Sequence, residues 1–193
     1  MYEYDQISDW YAANRHPAIG VADVMRFAGS LGDSGKILDL GCGNGVPISQ
    51  TLARMGFDVF GIDSSPEMIS QFRTNVPHAH AQCATLQESD FFNAYFDAVV
   101  AWGVVFHLTA IDQARVISKV SHHLKDGGKF FFTAGDEKGV TESTMNGVTF
   151  RYVSLGSAAY RSLLQENGFE MVAEYRDARD NYVYIAQKLP DTP

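Results

Sequence analysis

The stretch Lys36-Ile-Leu-Asp-Leu-Gly-Cys-Gly-Asn-Gly45 decides the fold. Its first five residues form a short apolar run, and glycines follow at 41, 43 and 45. From Pro47 to Met55, Ile48, Leu52 and Met55 recur at three- and four-residue spacing, which predicts a helix. Pro47 suits that helix's first turn and Gly56 its end. A strand, a glycine turn and a helix make the opening unit of an α/β sheet.

The same unit recurs downstream. Asp58-Val-Phe-Gly-Ile62 is a second apolar run closed by Asp63, and a helix starts in Ser64-Ser65-Pro66-Glu67. Ser64 with Glu67 has capping-box spacing, whereas Pro66 at the first helical position makes Ser65 the cap. That helix turns Met68, Ile69 and Phe72 inward. Weaker and stronger runs follow at His78–Ala84 and Phe96–Trp102. Thr109 and Asp112 read as a capping box before a helix bearing Ile117, Val120 and Leu124, expected to close at Lys125 and stop at Gly127-Gly128. Lys129–Thr133 is the fifth run. Such alternation predicts a largely parallel sheet with right-handed crossovers.

The last third departs from it. Val148–Val153 alternates briefly, and Ser157–Asn167 reads as a helix burying Tyr160, Leu163 and Leu164. Glu170–Tyr175 and Tyr182–Gln187 face each other across the turn Asp177–Asn181, a hairpin that adds an antiparallel edge. Before Lys36, Ile7, Trp10 and Tyr11 share a helical face and Val21–Phe27 forms a second helix. Both are expected over the sheet's carboxyl edge or flank.

Composition bounds the reading. The chain has 193 residues, 46% hydrophobic and 20% charged, as expected for one folded domain over 1–193 whose segment 1–33 covers the site. The net charge of −8 is the wrong sign for gripping a phosphate backbone, so nucleic acid is not the expected partner. The apolar stretch Phe91–Leu108 is broken by Asn93, Asp97 and His107, and no membrane span is expected. Two cysteines make no disulfide framework, and the acidic N-terminus is unlike a signal peptide, which together predict a cytoplasmic protein.

Ligands of open α/β sheets bind at the carboxyl ends of the strands. Asp63 stands there about 20 residues past the glycine loop, where a carboxylate accepts both hydroxyls of a ribose. A dinucleotide site wants a third glycine where this chain has Val46. The pattern G-x-G-x-G, with no phosphate-binding motif, points to a nucleoside without phosphates.

ILDLGCGNG and VFGIDSSPEMI resemble motif I and the acidic strand-two motif of class I S-adenosylmethionine-dependent methyltransferases. FDAVVAWGVVFHL, LKDGGKFFFT and LLQENGFEMV resemble the family's strand-four, strand-five and last-helix motifs, so the likeness runs from Lys36 to Gln187. YDQISDWYAANR resembles the start of small-molecule methyltransferases of the type 11/12 group. The resemblance implies a Rossmann-like three-layer sandwich, with a seven-stranded mostly parallel sheet of order 3-2-1-4-5-7-6 and an antiparallel strand seven.

It also implies S-adenosyl-L-methionine as cofactor and a methyl transfer to a small-molecule acceptor by in-line displacement. Gly41, Cys42, Gly43 and Gly45 would line the methionine and ribose, with Asp39 orienting their loop from behind. Asp63 would take the ribose hydroxyls, and Ser64 with Met68 one adenine face. Cys83, Ala84 and Thr85 would border the adenine, although many relatives have Asp where this chain has Cys83. Ala101 and Trp102 would offer backbone to the methionine amine, and Tyr11 and Arg15 would close on its carboxylate.

His107, in the loop after the fourth run, is the candidate general base, against the plainer reading that it packs or caps there. Cys42 lacks a partner base and reads as structural. The pairs His122-His123 and His78/His80 lack the further ligands of a metal site, so no metal is expected. Competing readings are a nicotinamide-dependent oxidoreductase and a non-catalytic module that keeps the nucleoside pocket.

Overall fold

The computed structural model describes residues 4–190, so the outermost three residues at each end of the expected domain lie outside the described residues. The strands are β1 (Lys36–Leu40), β2 (Asp58–Asp63), β3 (His80–Cys83), β4 (Phe96–Ala101), β5 (Leu124–Thr133), β6 (Lys138–Met145), β7 (Val148–Leu155), β8 (Phe169–Arg176) and β9 (Tyr182–Lys188). The helices are α1 (Ser8–Asn14), α2 (Val21–Gly29), α3 (Ile48–Arg54), α4 (Pro66–Asn75), α5 (Ala110–His123) and α6 (Ser157–Glu166).

Seven strands form one sheet in the order β3-β2-β1-β4-β5-β9-β8. β1 to β5 pair in parallel, while β9 runs antiparallel to both β5 and β8. Counted without the inserted β6–β7 hairpin, which forms its own two-stranded sheet, the order is the 3-2-1-4-5-7-6 that the resemblance implied.

The two-residue period of the strands builds the layers. Leu38, Leu40, Val99, Phe130 and Phe132 point to one face and pack with Val116, Ile117 and Val120 of α5 and Tyr160 and Leu164 of α6. Ile37, Ala98, Val100 and Phe131 point to the other, against Val24, Phe27 and Ala28 of α2 and Ile48 and Leu52 of α3. All these residues are buried, since both faces are covered. No helix among the described residues is long and apolar enough to cross a membrane.

Local chemistry settles the helix starts. Ser65 caps α4: its Oγ accepts the Met68 N–H at 3.1 Å, with Pro66 in the first turn. Thr109 caps α5, accepting the Asp112 N–H at 3.2 Å and donating to Asp112 Oδ2 at 2.7 Å.

Two sequence expectations are corrected, and one strand was not foreseen. α5 ends at His123, so Lys125 does not complete it. The chain turns extended at Leu124, whose N–H closes the helix on Val120 O, and enters β5 through an irregular register beside Phe96–Ala98. Lys125 Nζ instead binds Asp97 Oδ1 at 2.7 Å. The third run shortens to His80–Cys83. β6 carried no strand signal, because seven of its eight residues are exposed and polar and apolar residues do not alternate; its partner β7 defines it.

Candidate functional site

The glycine loop leaves β1 and folds over the end of β2. The Gly41 and Cys42 N–H groups both donate to Ile62 O, at 2.8 and 3.0 Å. Gly41 has φ +66°, and a Cβ there would lie 2.4 Å from Val104 Cγ2, so the turn requires glycine. Asp63 ends β2 with its carboxylate clamped by backbone. Oδ2 accepts the Gly43 N–H and Oδ1 the Ser65 N–H, each at 2.9 Å. Burial pushes this carboxyl's pKa up, and the two amides pull against it. Each oxygen retains capacity for one further bond.

A cleft of about 220 Å3 opens beside this carboxylate. Gly41, Asp63 and Ser64 form one side, Ala84 to Gln87 after β3 a second, and Val104, His107, Thr109 and Asp112 a third. A smaller space of about 40 Å3 shares Gly41, Asp63, Ser64, Val104 and His107, and adds Tyr4, Tyr11, Arg15, Gly43, Met68 and Trp102. The structure therefore brings eleven of the sequence candidates to one place: Tyr11, Arg15, Gly41, Gly43, Asp63, Ser64, Met68, Ala84, Thr85, Trp102 and His107. Trp102 lines the smaller space, while its ring stacks on Phe131 at 5.7 Å and fills the space a Gly20 Cβ would take.

Five candidates lie off the cleft wall. Gly45 packs on Phe72 and Val76, and Ala101 is buried within β4. Cys83 is exposed, its Sγ 3.8 Å from Ser64 O. Cys42 is buried under the loop, where burial and the nearby Asp39 and Asp63 charges hold the thiol well above its ordinary pKa. That disfavours the thiolate a nucleophile needs. Asp39 is buried behind the loop and accepts Ser49 Oγ–H at 2.5 Å.

Burial pushes the Asp39 carboxyl up to about 7 against the Ser49 hydrogen bond. The folded state then binds a proton that the unfolded chain, near pH 4, has released. With more protons bound in the native state, this contribution to stability is full below about pH 4 and is lost as pH rises through about 7. Three units set a ceiling of about 4 kcal/mol. Asp39→Asn is expected to flatten the pH dependence of the urea midpoint between pH 4.5 and 8; identical slopes in both proteins contradict this.

Arg15 and Tyr4 enter from the N-terminal segment. Arg15 Nε is buried with no hydrogen-bond partner among the described residues. Its guanidinium sits over the Tyr11 ring at 5.4 Å, and Nη1 lies 4.0 Å from the point where a Gly43 Cβ would stand. A buried guanidinium nitrogen without an acceptor is costly, and an incoming carboxylate removes that cost. Tyr4 was not singled out from the sequence. Its hydroxyl lies 3.2 Å from His107 Nε2, and burial with the neighbouring Tyr11 and Tyr152 raises its pKa. The stretch YDQISDWYAANR begins with Tyr4, but its contact with His107 spans 103 residues, and no local pattern reveals that pairing. Leu86 and Gln87, in the loop after β3, were likewise missed, and Asp112 of α5 was read from the sequence only as half of a capping box. No group of three or more His, Cys, Asp or Glu side chains is placed to hold a metal among the described residues.

Residues 37–128 match the family model described as a methyltransferase domain. An uncharacterized methyltransferase of Synechocystis sp. is 34% identical over 95 residues, 49% of this chain and 44% of that protein. A ubiquinone biosynthesis O-methyltransferase of Photorhabdus laumondii is 29% identical over 103 residues, 51% of this chain and 42% of that protein. The chain thus spans less than half the length of these curated relatives. An S-adenosylmethionine-dependent methyltransferase structure from Clostridium acetobutylicum superposes with a TM-score of 0.76 over 96% of this chain and 99% of that one, at 13% identity.

Proposed function

We propose that this chain, whose fold and 37–128 domain are those of class I S-adenosylmethionine-dependent methyltransferases, acts as one domain that methylates a small-molecule acceptor. The observation that carries the reading is the pairing, in one cleft, of a clamped carboxylate with a buried guanidinium nitrogen that lacks an acceptor among the described residues. S-adenosylmethionine supplies an activated methyl group on a sulfonium, together with a ribose diol and an amino-acid carboxylate. Asp63 matches the diol and Arg15 the carboxylate. Ser64, Met68, Ala84 and Thr85 form the adenine end, and the Gly41–Gly43 backbone the sugar and methionine end.

The chain's part in methyl transfer is mainly positioning and exclusion of water. Tyr4 and Tyr11 close the space beside Arg15. His107 stands at the junction of both spaces, oriented by the Tyr4 hydroxyl, where it can take the proton of an acceptor O–H or N–H. The small-molecule acceptor draws support from the ubiquinone biosynthesis relative and from the net charge of −8, which opposes nucleic acid.

Calorimetry with S-adenosylhomocysteine tests the reading, with NAD as control. A saturable one-site isotherm is expected, and NAD binding without it would overturn methyl transfer in favour of a dehydrogenase. Arg15→Met keeps an apolar stem over Tyr11 but removes the cation. A charged hydrogen bond of about 1.5–3 kcal/mol predicts roughly a 10- to 100-fold loss of S-adenosylhomocysteine affinity. 5′-Methylthioadenosine, which lacks the carboxylate, should bind both proteins equally; a matching loss there would show that Arg15 does not meet the carboxylate.

A further inference from the structure

A second cavity, of about 600 Å3, lies beyond the cofactor cleft, between the end of β5, the β6–β7 hairpin and the β8–β9 turn. No residue lines both spaces, but adjacent residues divide them: His107 faces the cleft and Phe106 the cavity. Tyr152 of β7 completes the partition, its ring 5.1 Å from His107 and 5.5 Å from Phe106. A molecule held in the cavity therefore meets the candidate base across one layer of aromatic rings.

The lining specifies what it holds. Phe106, Tyr152 and Tyr182 present rings from three separate elements. Three carboxylates, Asp136, Glu137 and Asp180, face two cations, Lys138 and Arg176. Arg176 is already engaged: Nη2 binds Asp136 Oδ2 at 2.6 Å, Nη1 binds Asp180 Oδ1 at 2.8 Å, and the guanidinium lies 5.5 Å from the Tyr182 ring centre. It is not free to receive an anion. Neither Glu137 nor Lys138 makes an ion pair among the described residues, and three carboxylates against two cations leave the lining net negative. Aromatic faces and an excess of carboxylate favour a cation on a ring and oppose a phosphate or carboxylate.

We infer that this cavity is a second ligand site beside the cofactor cleft and takes a small ring-bearing molecule with a protonated amine, the ring against Phe106, Tyr152 and Tyr182 and the ammonium at Glu137. Its place beside a cofactor cleft rests on the methyl-transfer reading; the binding chemistry does not.

The test uses tyramine and 4-hydroxyphenylacetate, which share a ring and differ in the sign of their charge. Both are titrated into the full chain, with and without S-adenosylhomocysteine, while backbone amide resonances are followed. Tyramine should shift the Gly135, Gly139 and Ser154 amides saturably, and 4-hydroxyphenylacetate should bind at least tenfold more weakly. Glu137→Gln, at an exposed position, should weaken tyramine about fivefold or more and leave S-adenosylhomocysteine binding unchanged. Equal binding of the two probes, shifts confined to other amides, or indifference to Glu137→Gln overturns the inference. Failure of S-adenosylhomocysteine alone would instead remove the methyl-transfer reading and leave an ammonium site.

Discussion

Asp63→Ala is expected to lower S-adenosylhomocysteine affinity at least about 100-fold. Two hydrogen bonds from a ribose diol to a charged acceptor are worth roughly 1.5–3 kcal/mol each, and every 1.4 kcal/mol is tenfold. The carboxylate also holds the Gly43 and Ser65 amides in place, so its removal loosens the loop that lines the rest of the ligand. Affinity for 5′-methylthioadenosine should fall equally, because that molecule keeps the ribose. This separates Asp63 from Arg15, whose loss spares the truncated ligand.

Stability should move differently from affinity. Burial already raises the Asp63 pKa, so the charged carboxylate costs folding energy that chiefly the two amides offset. Asp63→Ala is therefore expected to unfold close to the wild-type temperature while binding fails. Asp63→Asn is the second variant. Its carboxamide keeps one acceptor and turns an NH2 group toward one of two N–H donors, so binding should fall there also. Undiminished S-adenosylhomocysteine affinity in both variants would remove Asp63 from the site.

The origin of this site in the sequence is uneven. The parallel half was legible because each unit repeats one local logic: an apolar run, a turn residue at the carboxyl end, a capped amphipathic helix. Asp63 and Gly41 follow from that logic, since residues at strand ends need only the strand to be placed. The choice between Ser64 and Ser65 as cap was open in the sequence and is settled by one bond, Met68 N–H to Ser65 Oγ.

What escaped has a common physical cause. β6 is exposed on both faces, so burial leaves no periodic trace in it. Tyr4 reaches His107 across the chain, and its neighbours Tyr11 and Phe150 come from two further elements. Such contacts belong to the tertiary fold, and a single sequence carries no local record of them. Gly45, Cys42 and Ala101 show the other side of the motif. They belong to the motif yet face inward, because a glycine loop has an inner surface to pack as well as an outer one to offer a ligand.

That inner surface carries the second large effect. Phe72 of α4 is fully buried, and its ring lies where two glycines would otherwise bear side chains. A Cβ on Gly45 would fall 2.8 Å from Phe72 Cδ2, and one on Gly61 2.7 Å from Phe72 Cε2. Cys42, Ile69 and Val76 complete the cluster. The glycine of β2 is thus demanded by packing rather than by a ligand, and the loop rests on an aromatic ring. Phe72→Ala should cost about 3–5 kcal/mol, because the backbone of β2 and the loop cannot move in to fill the space. For a chain of this size that lowers the unfolding midpoint by roughly 7–12 °C. Phe72→Leu refills most of the volume and should cost less than half as much. The loop carries Gly43, whose amide fixes Asp63, so an unsupported loop should also bind S-adenosylhomocysteine several-fold more weakly at temperatures where the variant remains folded. Thermal unfolding and calorimetry on the same samples measure both effects. A full stability loss with unchanged affinity would show that Asp63 and its amides hold the loop without the ring beneath it.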